Sequence, residues 1–184
     1  YEILVERHTI NRPDDVSPGS MTSTMSLDWR KPLETADNKS IYVSGMARID
    51  GGKALIIVGS TPSSSDAGDL DGMMAKVTTD NGSFALEGSE ARSVAYFSSI
   101  TGNDDWLLNV CTDPDDDNSF YVVGATGGAM DASVKKSDDD ATVHAVVSKI
   151  RMDTLSILWT TQFPVLHSSG STKKEAASAA LGCT

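Results

Sequence analysis

Apolar residues come in short runs along the chain, many of them alternating or continuous over five to nine positions, and turn-forming residues separate the runs. Residues 41–49 and 53–59 flank Asp50-Gly51-Gly52. Gly-Gly suits a hairpin because both residues take φ > 0 at no steric cost. Asp80-Asn81-Gly82 plays the same part between 73–77 and 83–86, Asn-Gly being the preferred pair for a type I′ turn. Residues 106–111, 120–124, 144–150 and 156–161 are rich in β-branched and aromatic side chains and predict four more strands. The polar stretches 61–71 and 127–142 have the Gly, Ser and Asp content of exposed loops. Residues 173–181 are Ala-rich and suit a short helix or a strand equally.

Several segments recur about 70 residues apart, a spacing that decides a repeat fold. Val58-Gly59-Ser60-Thr61 answers to Val123-Gly124-Ala125-Thr126, each closing an apolar strand. Met73-Met74-Ala75-Lys76-Val77, with Asp80 and Ser83 beyond, matches Val146-Val147-Ser148-Lys149-Ile150, with Asp153 and Ser156 beyond. Cys111-Thr112 recurs loosely as Cys183-Thr184. The chain accordingly divides into an N-terminal extension or linker over 1–35, a first β repeat over 36–105, a second over 106–175 and the start of a third over 176–184. Within the first of these, 12–20 is turn-rich, and 1–9 fits an edge strand or an extended arm.

Four strands per repeating unit is the form of a propeller blade, too small to bury both faces alone and stabilised by its neighbours. The predicted fold class is all-β, with antiparallel four-stranded repeats forming a β-propeller-like fragment. The segment from Val146 through Lys149 and the turn Asp153 to Trp159 resembles the strand-turn-strand of bead-type β-propeller repeats, and quinoprotein-type propellers share this layout. Phe120-Tyr121-Val122-Val123-Gly124 is similar to the opening strand of such blades. The resemblance spans residues 41–184, with Leu86 standing where Trp159 stands in the second copy, and implies about two blades of a longer protein. A chain that starts at Tyr1 without Met and stops in mid-pattern at Thr184 fits a mature or excised portion.

With 184 residues, 39% hydrophobic and 22% charged, the chain is long enough for a sizeable core. Its formal charge of -11 repels phosphate backbones and anionic membranes, so nucleic acid is not an expected partner. No apolar run approaches the length of a membrane helix, and no direct membrane insertion is expected.

Two acidic clusters are candidates for chemistry. Asp113, Asp115 and Asp117 alternate and are followed by Asn118, a spacing of hard oxygens that could cage calcium weakly. Pro114 stiffens that loop. Asp66, Asp69 and Asp71 form the second cluster, and Asp138, Asp139 and Asp140 read as a solvated loop tip. No other cofactor is expected: there is no His-Glu-x-x-His, no Gly-x-Ser-x-Gly and no Cys pair at metal spacing. Gly51-Gly52-Lys53 has a faint look of a phosphate loop, but Ala47 and Ala54 stand where that motif needs Gly and a hydroxyl, and a hairpin turn explains it better. His8, His144 and His167 share no spacing; His144 reads as satisfied packing on a strand. Cys111 and Cys183 occupy equivalent places in successive repeats, where a mutual bridge is disfavoured against buried thiols or bridges to other parts. Asn38 and Asn81 head glycosylation sequons in predicted turns.

These features point to a non-catalytic β scaffold, an interaction module of a larger secreted or membrane-associated assembly, with an extracellular or luminal location. Its expected partners are other protein subunits or the remaining part of the same propeller. The alternative is a fragment of a propeller enzyme whose active site is completed by blades or a cofactor outside this chain.

Overall fold

The computed structural model describes residues 3–11, 24–33, 40–63, 68–80, 94–100, 103–130 and 143–163. These form ten strands: β1 (Ile3–Asn11), β2 (Thr24–Leu33), β3 (Tyr42–Ile49), β4 (Ala54–Pro62), β5 (Leu70–Thr78), β6 (Val94–Phe97), β7 (Asp105–Thr112), β8 (Ser119–Thr126), β9 (His144–Arg151) and β10 (Ile157–Phe163). Apart from a one-turn 3-10 helix at Asp50–Gly52, no helix occurs among them, so the fold is all-β.

The strands make three antiparallel sheets: the hairpin β1-β2, a first meander β3-β4-β5-β6 and a second meander β7-β8-β9-β10. Among the described residues no sheet closes on itself. The Gly-Gly turn joins β3 to β4 as the pattern predicts, with Asp50, Gly51 and Gly52 all at positive φ.

The fourth strand of the first meander departs from expectation. Residues 83–86, read as that strand after Asn81-Gly82, lie outside the described residues, and β6 at Val94–Phe97 pairs with β5 instead. Part of the expected N-terminal extension is an antiparallel pair, since β1 pairs with β2 from Ile3↔Leu33 to Asn11↔Thr24 with a register shift between Arg7 and His8. Residues 12–20 and 173–184 lie outside the described residues.

The first meander is buried on both faces, which is why β4 and β5 read as nearly continuous apolar runs. One face carries Ile56, Val58 and Met74 into a cluster shared with Leu107, Phe120, Val122, Val146 and Ile150 of the second meander. The other face carries Ile57, Met73, Ala75 and Val77 into a separate cluster against Val5 of the hairpin.

The sequence repeat has a structural cause. In β3 the register slips between Val43 and Gly45, and in β7 it slips between Leu107 and Asn109. Each bulge faces the glycine of the following strand, Val43↔Gly59 and Leu107↔Gly124. A Cβ at Gly59 would stand 2.0 Å from Tyr42 O, and one at Gly124 2.1 Å from Trp106 O. Any side chain at either position would collide with backbone, so the strand facing each bulge requires Gly at that position. The two bulges also meet, because the Ser44 hydroxyl donates to Leu107 O.

Candidate functional site

The acidic turn between β7 and β8 is organised around an internal cation. Lys149 Nζ, projecting from β9, lies 2.8 Å from Asp113 Oδ2 and 3.4 Å from Asp116 Oδ2. Ser119 Oγ is within 3.2 Å of the first carboxylate and 2.8 Å of the second. Backbone amides fill the remaining oxygens: Asp115 N donates to Asp113 Oδ1 and Asn118 N to Asp116 Oδ1, each at 3.0 Å. The Lys149 hydrogen bond, with help from the Asp115 amide, pulls Asp113 down to about 2. The same contact raises Lys149, and hydrogen bonding to Asp113 raises Tyr121. Lys149 also stands 5.7 Å from the centroid of the Tyr121 ring, which in turn lies 6.0 Å from Trp159.

Of the residues proposed from the sequence for calcium, only Asp113 points into this network; Asp115, Asp117 and Asn118 are exposed. Asp116, which the alternation skips, is the second member. Among the described residues no group of three or more His, Cys, Asp or Glu is placed to hold a metal. In the second acidic cluster Asp71 accepts from Ser98 Oγ at 2.8 Å, whereas Asp66 lies outside the described residues.

A second polar centre lies where the chain passes from the first meander to the second. Asp105, Thr126 and His144 stand opposite one another on β7, β8 and β9. Asp105 is 0% exposed, and its Oδ2 accepts from Ser99 N at 2.5 Å. Asp105 Oδ1, Ser99 Oγ and His144 Nδ1 are buried without a hydrogen-bond partner. Desolvation pushes Asp105 up to about 6, opposed in part by Thr126 and Ser99, with Asp71 adding repulsion. His144 is therefore a half-buried strand residue, as its setting predicts, but not a satisfied one.

A third feature is an open recess of about 560 Å³ between the hairpin and the Gly-Gly turn, lined by Arg7, Arg48, Gly52, Lys53, Leu55 and Thr79 among others. Of its lining only Gly51-Gly52-Lys53 stands out in the sequence, where it reads as a hairpin turn; Arg7 and Arg48 come from different sheets.

Family models, curated proteins and solved structures give no match to this chain. The geometry alone therefore carries the functional reading. Cys111, 8% exposed, is disulfide-bonded, which sets aside the buried-thiol alternative. Of the chain's two cysteines the other, Cys183, lies outside the described residues, as do Asn38, Asn81, His167 and 138–140. His8 lies in β1, where its Nε2 is 2.9 Å from Glu6 Oε2.

Proposed function

We propose that the chain is a non-catalytic β scaffold: two consecutive propeller-type blades that stack front to back within a larger secreted or membrane-associated assembly. The observation that carries this reading is which faces meet. Ile57, Met73 and Val77 correspond in the repeat to Val122, Val146 and Ile150, yet the first three pack toward the hairpin and the last three toward the first meander. Equivalent residues thus face the same way along the stack. Such a contact is heterologous and can be repeated, in contrast to the self-matching contact of a two-fold pair.

The face of the second meander equivalent to the one already used by the first carries Tyr121, Val123, Val147, Lys149 and Trp159; Val123 is already buried, and the exposed part is the outer strand. The partner fitting it is another four-stranded sheet, from a protein subunit or from further blades of the same propeller. Trp159 at 44% and Phe163 at 49% exposed supply apolar surface at its outer strand. The disulfide at Cys111 and the acidic composition support an extracellular or luminal location.

Sedimentation velocity from micromolar to millimolar concentration tests the proposal. Association that grows with concentration, and that Trp159→Arg with Phe163→Arg abolishes, is expected. A strictly monomeric species throughout overturns it. The alternative, a propeller-enzyme fragment, draws support from the three unpartnered polar atoms around Asp105.

A further inference from the structure

The recess beside the Gly-Gly turn holds unspent positive charge on a chain whose formal net charge is -11. Its acids are already committed. Glu6 is engaged by Arg30 Nε at 2.5 Å and His8 Nε2 at 2.9 Å. Arg7 is neutralised where it stands, with Nε 3.2 Å from Asp28 Oδ2 and Nη1 3.9 Å from Asp80 Oδ1, and it donates to Thr79 O at 2.6 Å. Arg48 and Lys53 are different. Both are exposed, neither forms an ion pair with a described acid, and Arg48 Nη2 donates only a long hydrogen bond, 3.4 Å, to Gly52 O among the described residues.

The backbone positions this pair. Gly52 sits at φ +90, and a Cβ there would lie 2.5 Å from Arg48 Nη2, so the absence of a side chain lets the guanidinium lie across the turn. Lys53 follows directly in sequence, and the Thr79 hydroxyl is turned onto Gly52 O at 2.9 Å, which fixes the turn from the far side.

We propose that this recess binds a small ligand through an oxyanion, a carboxylate or phosphate group held between the Arg48 guanidinium and the Lys53 ammonium. Both cations are donors only, and an oxyanion is the partner that satisfies a guanidinium fork beside an ammonium. A bare ion does not fill a recess of about 560 Å³, which is within the range of sites for ligands of sugar size and above. Among the described residues no Phe, Tyr or Trp lines it, so recognition there rests on charge and hydrogen bonds. Among the described lining residues Leu55 provides the large apolar surface.

Amide-resolved NMR titration of the folded chain with D-glucuronate, glucose 6-phosphate and neutral glucose tests the site and separates the two anion sources. Saturable shifts confined to residues around Gly51, Lys53 and Thr79 are expected for one or both acids and not for glucose. They should weaken with added salt, as binding by exposed cations does. The variant R48Q/K53Q should weaken the interaction about tenfold or more, while R151Q, which removes an exposed charge from β9, should leave it unchanged. Both substituted cations are exposed, so the melting temperature reports that the variant is folded. Shifts that rise without saturation, an equal response to glucose, an unchanged curve in R48Q/K53Q, or an equal loss in R151Q each overturn the proposal. None of these outcomes depends on the self-association expected of the scaffold.

Discussion

Replacing Gly124 by Ala adds one methyl group, and the structure fixes where it goes. The new Cβ would lie 2.1 Å from Trp106 O, 3.1 Å from Trp106 C and 3.3 Å from Leu107 Cα. Relieving the first contact requires β7 and β8 to separate by about 1 Å at the bulge, and close-packed interiors yield little. Strand β7 cannot simply retreat. It packs on β3, β4 and β5, Leu107 is 1% exposed, and Leu107 O accepts the Ser44 hydroxyl across the junction.

Overpacking of this kind costs about 1–3 kcal/mol, and a weakened ladder bond adds about 1 kcal/mol. The expected loss is therefore about 2–4 kcal/mol. An ordinary strand glycine has the opposite sign, because Ala in its place gains about 0.5–1 kcal/mol. For a chain of this size the loss corresponds to a melting temperature lower by about 4–16 °C. Urea unfolding followed by tryptophan fluorescence, with a thermal melt beside it, reads the effect. Gly59→Ala should behave alike, its Cβ standing 2.0 Å from Tyr42 O. Gly51→Asn should be nearly neutral, since Gly51 has φ +58 with nothing within 4 Å of a Cβ and Asn tolerates that region. A Gly124→Ala protein as stable as the parent, or more so, would refute the bulge as the reason for the repeated glycine.

Asp105 ionises at about 6 in the folded protein against an ordinary 3.8. Folded molecules thus keep a proton that unfolded ones release between those values, and stability falls as pH rises through that window. Asp105→Asn should raise the melting temperature at pH 7, by up to roughly 3 kcal/mol in stability, and the gain should vanish below pH 4. Asp113 has the opposite sign: held at about 2 against 3.8, it contributes stability above about pH 4 that is lost as pH falls toward 2. Asp113→Asn should remove that part of the acid unfolding curve. Calcium must displace Lys149 to reach Asp113 and Asp116, so a calcium-dependent rise in melting temperature should be larger in Lys149→Met than in the parent. Loss of the disulfide through Cys111→Ser should cost about 2–5 kcal/mol, and reductant should reproduce that loss in the parent and leave the variant unchanged.

The elements legible in the sequence are those whose backbone leaves few residue choices. Gly51-Gly52 marks a turn because that turn needs positive φ, and Val-Gly recurs because each bulge leaves no room for a Cβ. Strand β6 was hidden for the opposite reason. Val94–Phe97 has four residues, and it is a strand because β5 offers it an edge, while 83–86 has the better turn in front of it. Strand β2 reads as polar around Asp28, Arg30 and Lys31 and contains Pro32, so its pairing with β1 decides its state. The acidic turn poses a related problem. Crowded carboxylates call for a cation, and sequence spacing alone offers calcium as readily as a lysine that arrives from a distant strand. Asp105 gives no local sign of burial either, since its desolvation comes from its place in the fold, opposite Thr126 and against Ser99.

The direction of stacking is what ties these details to a role. Were the two meanders related by a two-fold axis, Val58 would share a cluster with its repeat counterpart Val123; it shares one with Val122 instead. The step from one sheet to the next is therefore directional, and a directional step can be taken again. Val5 of the hairpin packs against the face of the first meander turned away from the second. In the scaffold we propose, a further sheet added in the sense of the existing step would dock on the second meander. On its corresponding face Lys149 pairs with Asp113 and Trp159 lies against Tyr121, so these side chains are already ordered by contacts within the sheet. A sheet docking there would lose little side-chain freedom at the row it meets, and such preorganisation favours a lasting assembly over a fleeting contact.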